Sequence, residues 1–208
     1  MDRTNHSFPH IPMYADTVYQ PLYDSRTFQE VPQRATFFEV PQGMPDGELG
    51  VKTQEDTAMY VPSQMVQGND FYMTGVGVYF VPNYKGEAGT SRAMDIADVL
   101  GVLGGGAFMF QIKNRRYLEI APLAALQPSF PMYWAREDER LERMFKADIS
   151  ASGDGVPQKK PDGFALVPLY IPSGVYFRAE ITFKNRRKLN SAGKLGVILY
   201  GYLIRHAM

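Results

Sequence analysis

The chain has 208 residues, 45% of them hydrophobic and 21% charged, which is enough to bury a sizeable core and excludes global disorder. It contains no cysteine, so disulfide scaffolds, Cys-ligated zinc and thiol catalysis are excluded. The net charge is zero, but residues 1–100 hold 6 Lys+Arg against 13 Asp+Glu, and residues 101–208 hold 16 against 9. Two faces of one domain neutralise each other in such a split; alternatively, a basic surface meets nucleic acid or an acidic neighbour. No apolar run reaches about 18 residues and the first twenty carry no apolar stretch, so neither a membrane-spanning helix nor a secretory signal is expected.

Residues 1–45 differ in kind from the rest. They hold Pro9, Pro12, Pro21, Pro32, Pro41 and Pro45, 6 of the 15 prolines. Proline removes a backbone donor and pushes its predecessor toward extended conformations, so no helical period survives. Yet Phe8, Ile11, Tyr14, Val18, Tyr19, Leu22, Tyr23, Phe28, Phe37 and Phe38 give the segment more rings than a linker keeps. The expectation is an extended arm over 1–45, docked on its own domain or on a neighbouring subunit, and a β domain over 46–208. Phe8, Ile11, Tyr14, Tyr19, Tyr23, Phe37 and Phe38 are its candidate anchors, because aromatic side chains carry much of the contact energy at interfaces. Deleting residues 2–40 is then expected to leave the domain folded.

Strands are expected over Met59–Val66 and Phe71–Val81, with Gly75 and Gly77 marking a bulge or a close backbone approach. Thr90 or Ser91 caps a helix to Leu100, where Ile96, Val99, Leu100 and Leu103 keep helical spacing and Gly101 and Gly104–Gly106 would end it. Strands follow over Ala107–Lys113 and Tyr117–Ala121, joined through Lys113-Asn114-Arg115-Arg116, a hairpin turn with Asn as the residue suited to left-handed angles. Arg136–Lys146 reads as a helix with Glu139/Arg143 and Glu142/Lys146 pairs, or as a solvated loop, and Ala151–Gly163 as a surface loop.

Phe164–Ile171 is another expected strand. In Val175–Phe183, Val175, Phe177, Ala179, Ile181 and Phe183 alternate with polar partners and Tyr176, so the odd-numbered residues should face the core. Lys184-Asn185-Arg186-Arg187 repeats the basic turn. Leu195–Arg205 is apolar on both faces, as a strand covered on both sides is. Short strands separated by turns suggest a sandwich rather than an α/β fold.

The catalytic kit is thin. His6, His10 and His206 all lie within ten residues of a terminus, prolines keep His6 and His10 off one helical face, and no G-x-S-x-G elbow occurs. No metal, cofactor or catalytic residue is expected. Gly101–Gly106 matches no phosphate-binding loop, and Glu137, Asp138, Glu139 and Glu142 are interleaved with basic residues as on a solvated surface. Lys184, Arg186, Arg187, Lys188 and Lys194 place five positive charges within eleven positions without an acid between them. They read as a phosphate-contacting patch or as a solvated loop, with Tyr176 and Tyr202 as candidate stacking rings.

The C-terminal half carries a resemblance. Phe108-Met109-Phe110-Gln111-Ile112, then Arg116-Tyr117-Leu118, then Ala121-Pro122-Leu123, is similar to a stretch of small jelly-roll virion proteins of bacteriophages. The ending Gly196-Val197-Ile198-Leu199-Tyr200-Gly201-Tyr202-Leu203-Ile204-Arg205 resembles their last strand. The resemblance covers roughly residues 104–208. It implies an all-β, jelly-roll-like sandwich of about eight strands with one or two short helices and an extended N-terminal arm. It also implies a cement, minor capsid or vertex protein of the virion, a homo-oligomer (trimer or pentamer) holding neighbouring capsid subunits together. Two other readings stand beside it: a nucleic-acid-binding module using residues 184–194, and a carbohydrate-binding sandwich resting on Trp134, Glu137 and Asp138.

Overall fold

The stretch with the strictest alternation forms a strand, in the phase its odd-numbered residues set. In the computed structural model, which describes residues 15–46, 50–85, 91–126 and 164–206, Phe177, Ala179 and Ile181 are 0% exposed and Thr182 is open to solvent. The strands are β1 (Ala15–Tyr19), β2 (Leu22–Val31), β3 (Arg34–Phe37), β4 (Asn69–Val81), β5 (Gly106–Ile112), β6 (Arg115–Ile120), β7 (Phe164–Ile171), β8 (Phe177–Phe183) and β9 (Arg187–His206), with helix α1 (Arg92–Gly105) between β4 and β5. All pairings are antiparallel.

One sheet runs β2-β9-β4-β7 and the other β3-β8-β5-β6. Counted from β2, the eight strands fall first-eighth-third-sixth and second-seventh-fourth-fifth, the strand order of a jelly roll. The fold is an all-β sandwich. β1 is an addition to the eight: it continues β2 along the same edge of β9, beyond Pro21, which cannot donate to the ladder. Between the sheets lie Phe37, Phe38, Phe71, Phe108, Phe110 and Phe177, all fully buried, each contributing about 1.5–3 kcal/mol. The rings of Phe38 and Phe110 stand 5.6 and 6.1 Å from that of Phe177.

The arm expected over residues 1–45 is, from residue 22 on, part of the sandwich itself. Of residues 1–45, those from 22 to 37 supply two of the eight jelly-roll strands: β2 lies along β9 and β3 along β8. Prolines 21 and 32 stand just outside the strands they bound, so they punctuate the sheet edge rather than dissolve it. The division at 45/46 therefore cuts through the sandwich. Residues 1–14 lie outside the described residues.

Residues 59–66 are also not a strand. Pro62 and a left-handed Ser63 (φ 53°) break the extended run, and Ser63 instead donates its N–H to Phe38 O and accepts from Phe177 N, at 2.7 and 2.8 Å. The helix begins as expected, with Ser91 Oγ accepting from Met94 N, but passes Leu100 and Gly101 to Gly105. At Gly101 the Arg187 guanidinium lies where a Cβ would be, with Cζ 1.9 Å from that position. Arg187 also donates to Ala97 O at 3.0 Å, while the buried Asp98 accepts from Asn190 N and Nδ2. These contacts pin the helix to the start of β9.

The two basic repeats do different things. Lys113 and Asn114 make a two-residue hairpin between β5 and β6, but Lys113 (φ 55°) takes the left-handed angle and not Asn114, with its N–H bonded to Tyr176 O. Lys184–Arg186 instead carries the chain from one sheet to the other. The bulge at Gly75 is present, as a register shift between Met73 and Gly75 against both neighbours. The segments 136–146 and 151–163 lie outside the described residues.

Candidate functional site

The seven candidate anchors do not form one surface. Phe8, Ile11 and Tyr14 lie outside the described residues. Phe37 and Phe38 are fully buried between the sheets and anchor the chain's own core. Tyr23 is half-buried, with its hydroxyl donating to Gln54 O. Only Tyr19, 45% exposed, presents a ring to the outside.

Tyr19 does not stand alone. It lies directly opposite Tyr202 on β9, Tyr202 lies opposite Tyr72 on β4, and Tyr72 lies opposite Tyr170 on β7. Directly paired residues of antiparallel strands share a face, about 5 Å apart. The inward phase of the same strands is occupied by Phe71, Met73, Ile171 and Leu203, all buried. The four tyrosines therefore form one row across the outer face of the β2-β9-β4-β7 sheet. Tyr19 packs edge-to-face on Tyr202, with centroids 5.4 Å apart, and Tyr170 at the other end is also 45% exposed. Tyr202 had been a candidate stacking ring, but the row escapes a linear reading because its members come from four strands. The signal present in the sequence was a tyrosine on the outward phase of each strand.

One end of the row is locked by a buried carboxylate. Asp70, opposite Ile204 and 4% exposed, accepts from Tyr170 Oη and from Ser173 N (2.7 Å), and His206 Nε2 lies 2.5 Å from its Oδ2. Burial opposes its ionisation, but these donors outweigh it and hold the carboxyl below the usual range. Burial and the neighbouring Asp70 push the Tyr170 phenol up to about 12, so the ring remains a neutral donor. His206, one of the three histidines near a terminus, is the last residue of β9 and part of this clamp.

The basic patch loses one member to the interior. Lys184, Arg186 and Lys188 are exposed, and Lys188 faces Glu30 across the β2–β9 ladder. Arg187 is spent on α1, as above. Lys194 is 6% exposed, and its Nζ lies 2.8 Å from Asp56 Oδ1, 3.3 Å from Tyr84 Oη and 4.5 Å from the Tyr84 ring centroid. Burial works against its charge, yet Asp56 and Tyr84 raise its pKa. Of the five charges close in sequence four are thus exposed, Arg187 among them with a bond to α1, and Lys194 alone is drawn into a buried pair. Tyr176 is exposed just before β8, with its hydroxyl toward Glu39.

Among the described residues, no three His, Asp or Glu side chains converge to hold a metal ion. No helix among them is long and apolar enough to cross a membrane. Trp134, Glu137 and Asp138 lie outside the described residues. Comparison with protein-family models, with curated proteins and with solved structures finds no match. What the assembled geometry offers is a contact surface: a row of tyrosine rings across one sheet face, exposed at its ends, Tyr19 and Tyr170.

Proposed function

We propose that the chain is a structural protein of a virus particle, in the cement or minor-capsid sense, that bridges neighbouring shell subunits. The observation that carries the reading is the tyrosine row on the outer face of a jelly-roll sandwich. A sheet face with aligned rings suits protein–protein contact, where Tyr provides large area at low entropic cost. The jelly-roll strand order agrees with the resemblance but does not itself assign a role, since one fold hosts many functions. Withdrawal of Lys194 into its pair with Asp56, and the bond of Arg187 to α1, count against the nucleic-acid reading.

The test is co-purification. Particles from cells carrying the gene are banded on a density gradient, and the peptides of this chain are counted by mass spectrometry. Stoichiometric recovery at particle density is expected. Recovery only in the soluble fraction overturns the reading. Tight filter binding of random DNA that is lost when Lys184, Arg186 and Lys188 are changed to Ser would replace it with the nucleic-acid one.

A further inference from the structure

We infer that Lys52 and Asp24 condense into an intramolecular amide bond once the chain has folded, with Asp46 relaying the proton. The bond lies inside the sandwich and does not depend on the bridging role.

The site joins three positions that the sequence keeps apart. Asp24 stands on β2 opposite Val197, in the inward phase that Leu22 shares, where a core strand ordinarily carries an apolar side chain. Lys52 and Asp46 come from the loop after β3, where Lys52 N donates to Met44 O and Asp46 N donates to Gly50 O. A bridge between Asp24 and Thr57 ties the chain beyond that loop to β2. The side chains of Asp24 and Lys52 are both buried, with Nζ 2.5 Å from Oδ1. An amine that close to a carboxyl oxygen stands about 3–3.5 Å from its carbon, the separation from which a bond can form.

The surroundings supply more than an ion pair requires. A carboxylate resists attack by an amine, whereas a neutral carboxyl accepts it. Burial pushes the Asp24 carboxyl up toward its neutral form, against the pull of Lys52. Phe38 N donates to Oδ2 at 2.6 Å, and the buried Thr57 hydroxyl donates to the same carboxyl. Those donors stabilise the oxyanion that forms when nitrogen adds to Cγ. A second carboxylate completes the set. Asp46 Oδ2 lies 3.7 Å from the same Nζ, and Arg26 fixes it there through Nε at 3.2 Å and an ion pair to Oδ1 at 2.6 Å.

The reaction balances without another reactant. The Lys52 ammonium passes one proton to the Asp24 carboxylate, leaving an amine and a carboxylic acid. The nitrogen lone pair adds to Cγ, and Asp46 takes a proton from the nitrogen and returns it to the departing hydroxyl. The C–N bond forms, the C–O bond breaks and one water leaves; nothing is oxidised or reduced. In water both groups stay charged and solvated, while a dry core that holds them together removes that protection. Folding therefore comes first, and the charged pair is the precursor that the amide replaces. The bond closes a loop from Asp24 to Lys52, a covalent staple open to a chain without cysteine.

The test is the intact mass of the purified full-length chain, denatured just before measurement. A loss of one water relative to the sequence is expected, spreading to nearly the whole sample as the folded protein is incubated. Trypsin locates the bond. Acylation removes the lysine charge that the protease reads, so the peptide ending at Arg26 should be joined to one running uncut through Lys52. Lys52→Arg keeps the charge and should show neither change. Asp46→Ala should slow the water loss about a hundredfold or more, the scale of a positioned proton relay, with a melting curve showing that the variant is folded.

A parent chain that keeps the mass of its sequence after long incubation overturns the inference. So does a water loss that persists in Lys52→Arg, which marks ring closure at an Asp-Gly step such as Asp46-Gly47 instead. A folded Asp46→Ala chain that condenses at the parent's rate overturns the part given to Asp46.

Discussion

Replacing Lys52 with Met should cost about 3–5 kcal/mol, because it strands a charge inside the sandwich. Asp24 on β2 is 0% exposed and Lys52 is 4% exposed, with Nζ 2.5 Å from Asp24 Oδ1. The other carboxylate oxygen accepts from Phe38 N at 2.6 Å and so helps hold Phe38 at φ 70°, a left-handed angle that a bulky residue does not adopt unaided. Burial pushes the Asp24 carboxyl above its ordinary range, and the Lys52 ammonium is the first of the groups that pull it back. Without that ammonium, the carboxylate keeps its desolvation and loses its counter-charge.

For a chain of this size about 1 kcal/mol corresponds to about 2–4 °C, so the melting temperature should fall by roughly 6–20 °C at pH 7. The loss should also depend on pH with a definite sign. A carboxyl whose folded pKa lies above its unfolded one binds its proton more readily when folded. The penalty is full above the folded value, shrinks as pH falls through it, and vanishes below the unfolded value of about 3.9. Asp24→Asn with Lys52→Met should recover most of the loss, since the amide oxygen still accepts from Phe38 N and no charge is buried. The assay is a set of urea and thermal melts by circular dichroism for the parent, both single variants and the double, at pH 7 and pH 4. A loss under about 1 kcal/mol, the scale of an exposed pair, or a loss that grows on acidification, would refute the reasoning.

Three further outcomes follow from the packing. Deleting residues 2–40 should abolish the cooperative melt, against the expectation from composition, because β2, β3 and the buried rings of Phe37 and Phe38 go with it; a truncated chain with a parent-like melt would contradict the strand pairing. Phe177→Asp should unfold the sandwich, whereas Thr182→Asp, exposed and opposite Arg34, should stay within about 0.5 kcal/mol of the parent; chemical denaturation compares them. Asp70→Asn should flatten the acid limb of stability: the depressed Asp70 pKa contributes stability above the ordinary carboxyl range that is lost as pH falls through its folded value, so melts from pH 7 to pH 3 should show a smaller decline in the variant.

The legible part of the fold was the part written locally. Phe177, Ala179, Ile181 and Phe183 announce a strand and its inner face because a pleated backbone turns successive side chains to opposite sides. Ser91 and the apolar spacing after it announce a helix start for the same reason of short-range geometry. The helix end was not legible, because Arg187, 86 positions beyond Gly101, packs against that glycine and the helix runs on past it.

By itself the sequence determined an all-β sandwich, the phase of its strongest strands and a basic turn between β5 and β6. Tertiary structure decided that residues 22–37 are core strands, since their partners, β9 and β8, lie about 140 to 180 positions away in the chain and proline spacing says nothing of them. It decided that Lys194 leaves the basic segment for Asp56, because a long strand carries neighbours in sequence to different places on the sheet. It also decided the tyrosine row. Each tyrosine's phase is set within its own strand, but their alignment is set by register between strands, and register comes from pairing over distances that no local period encodes.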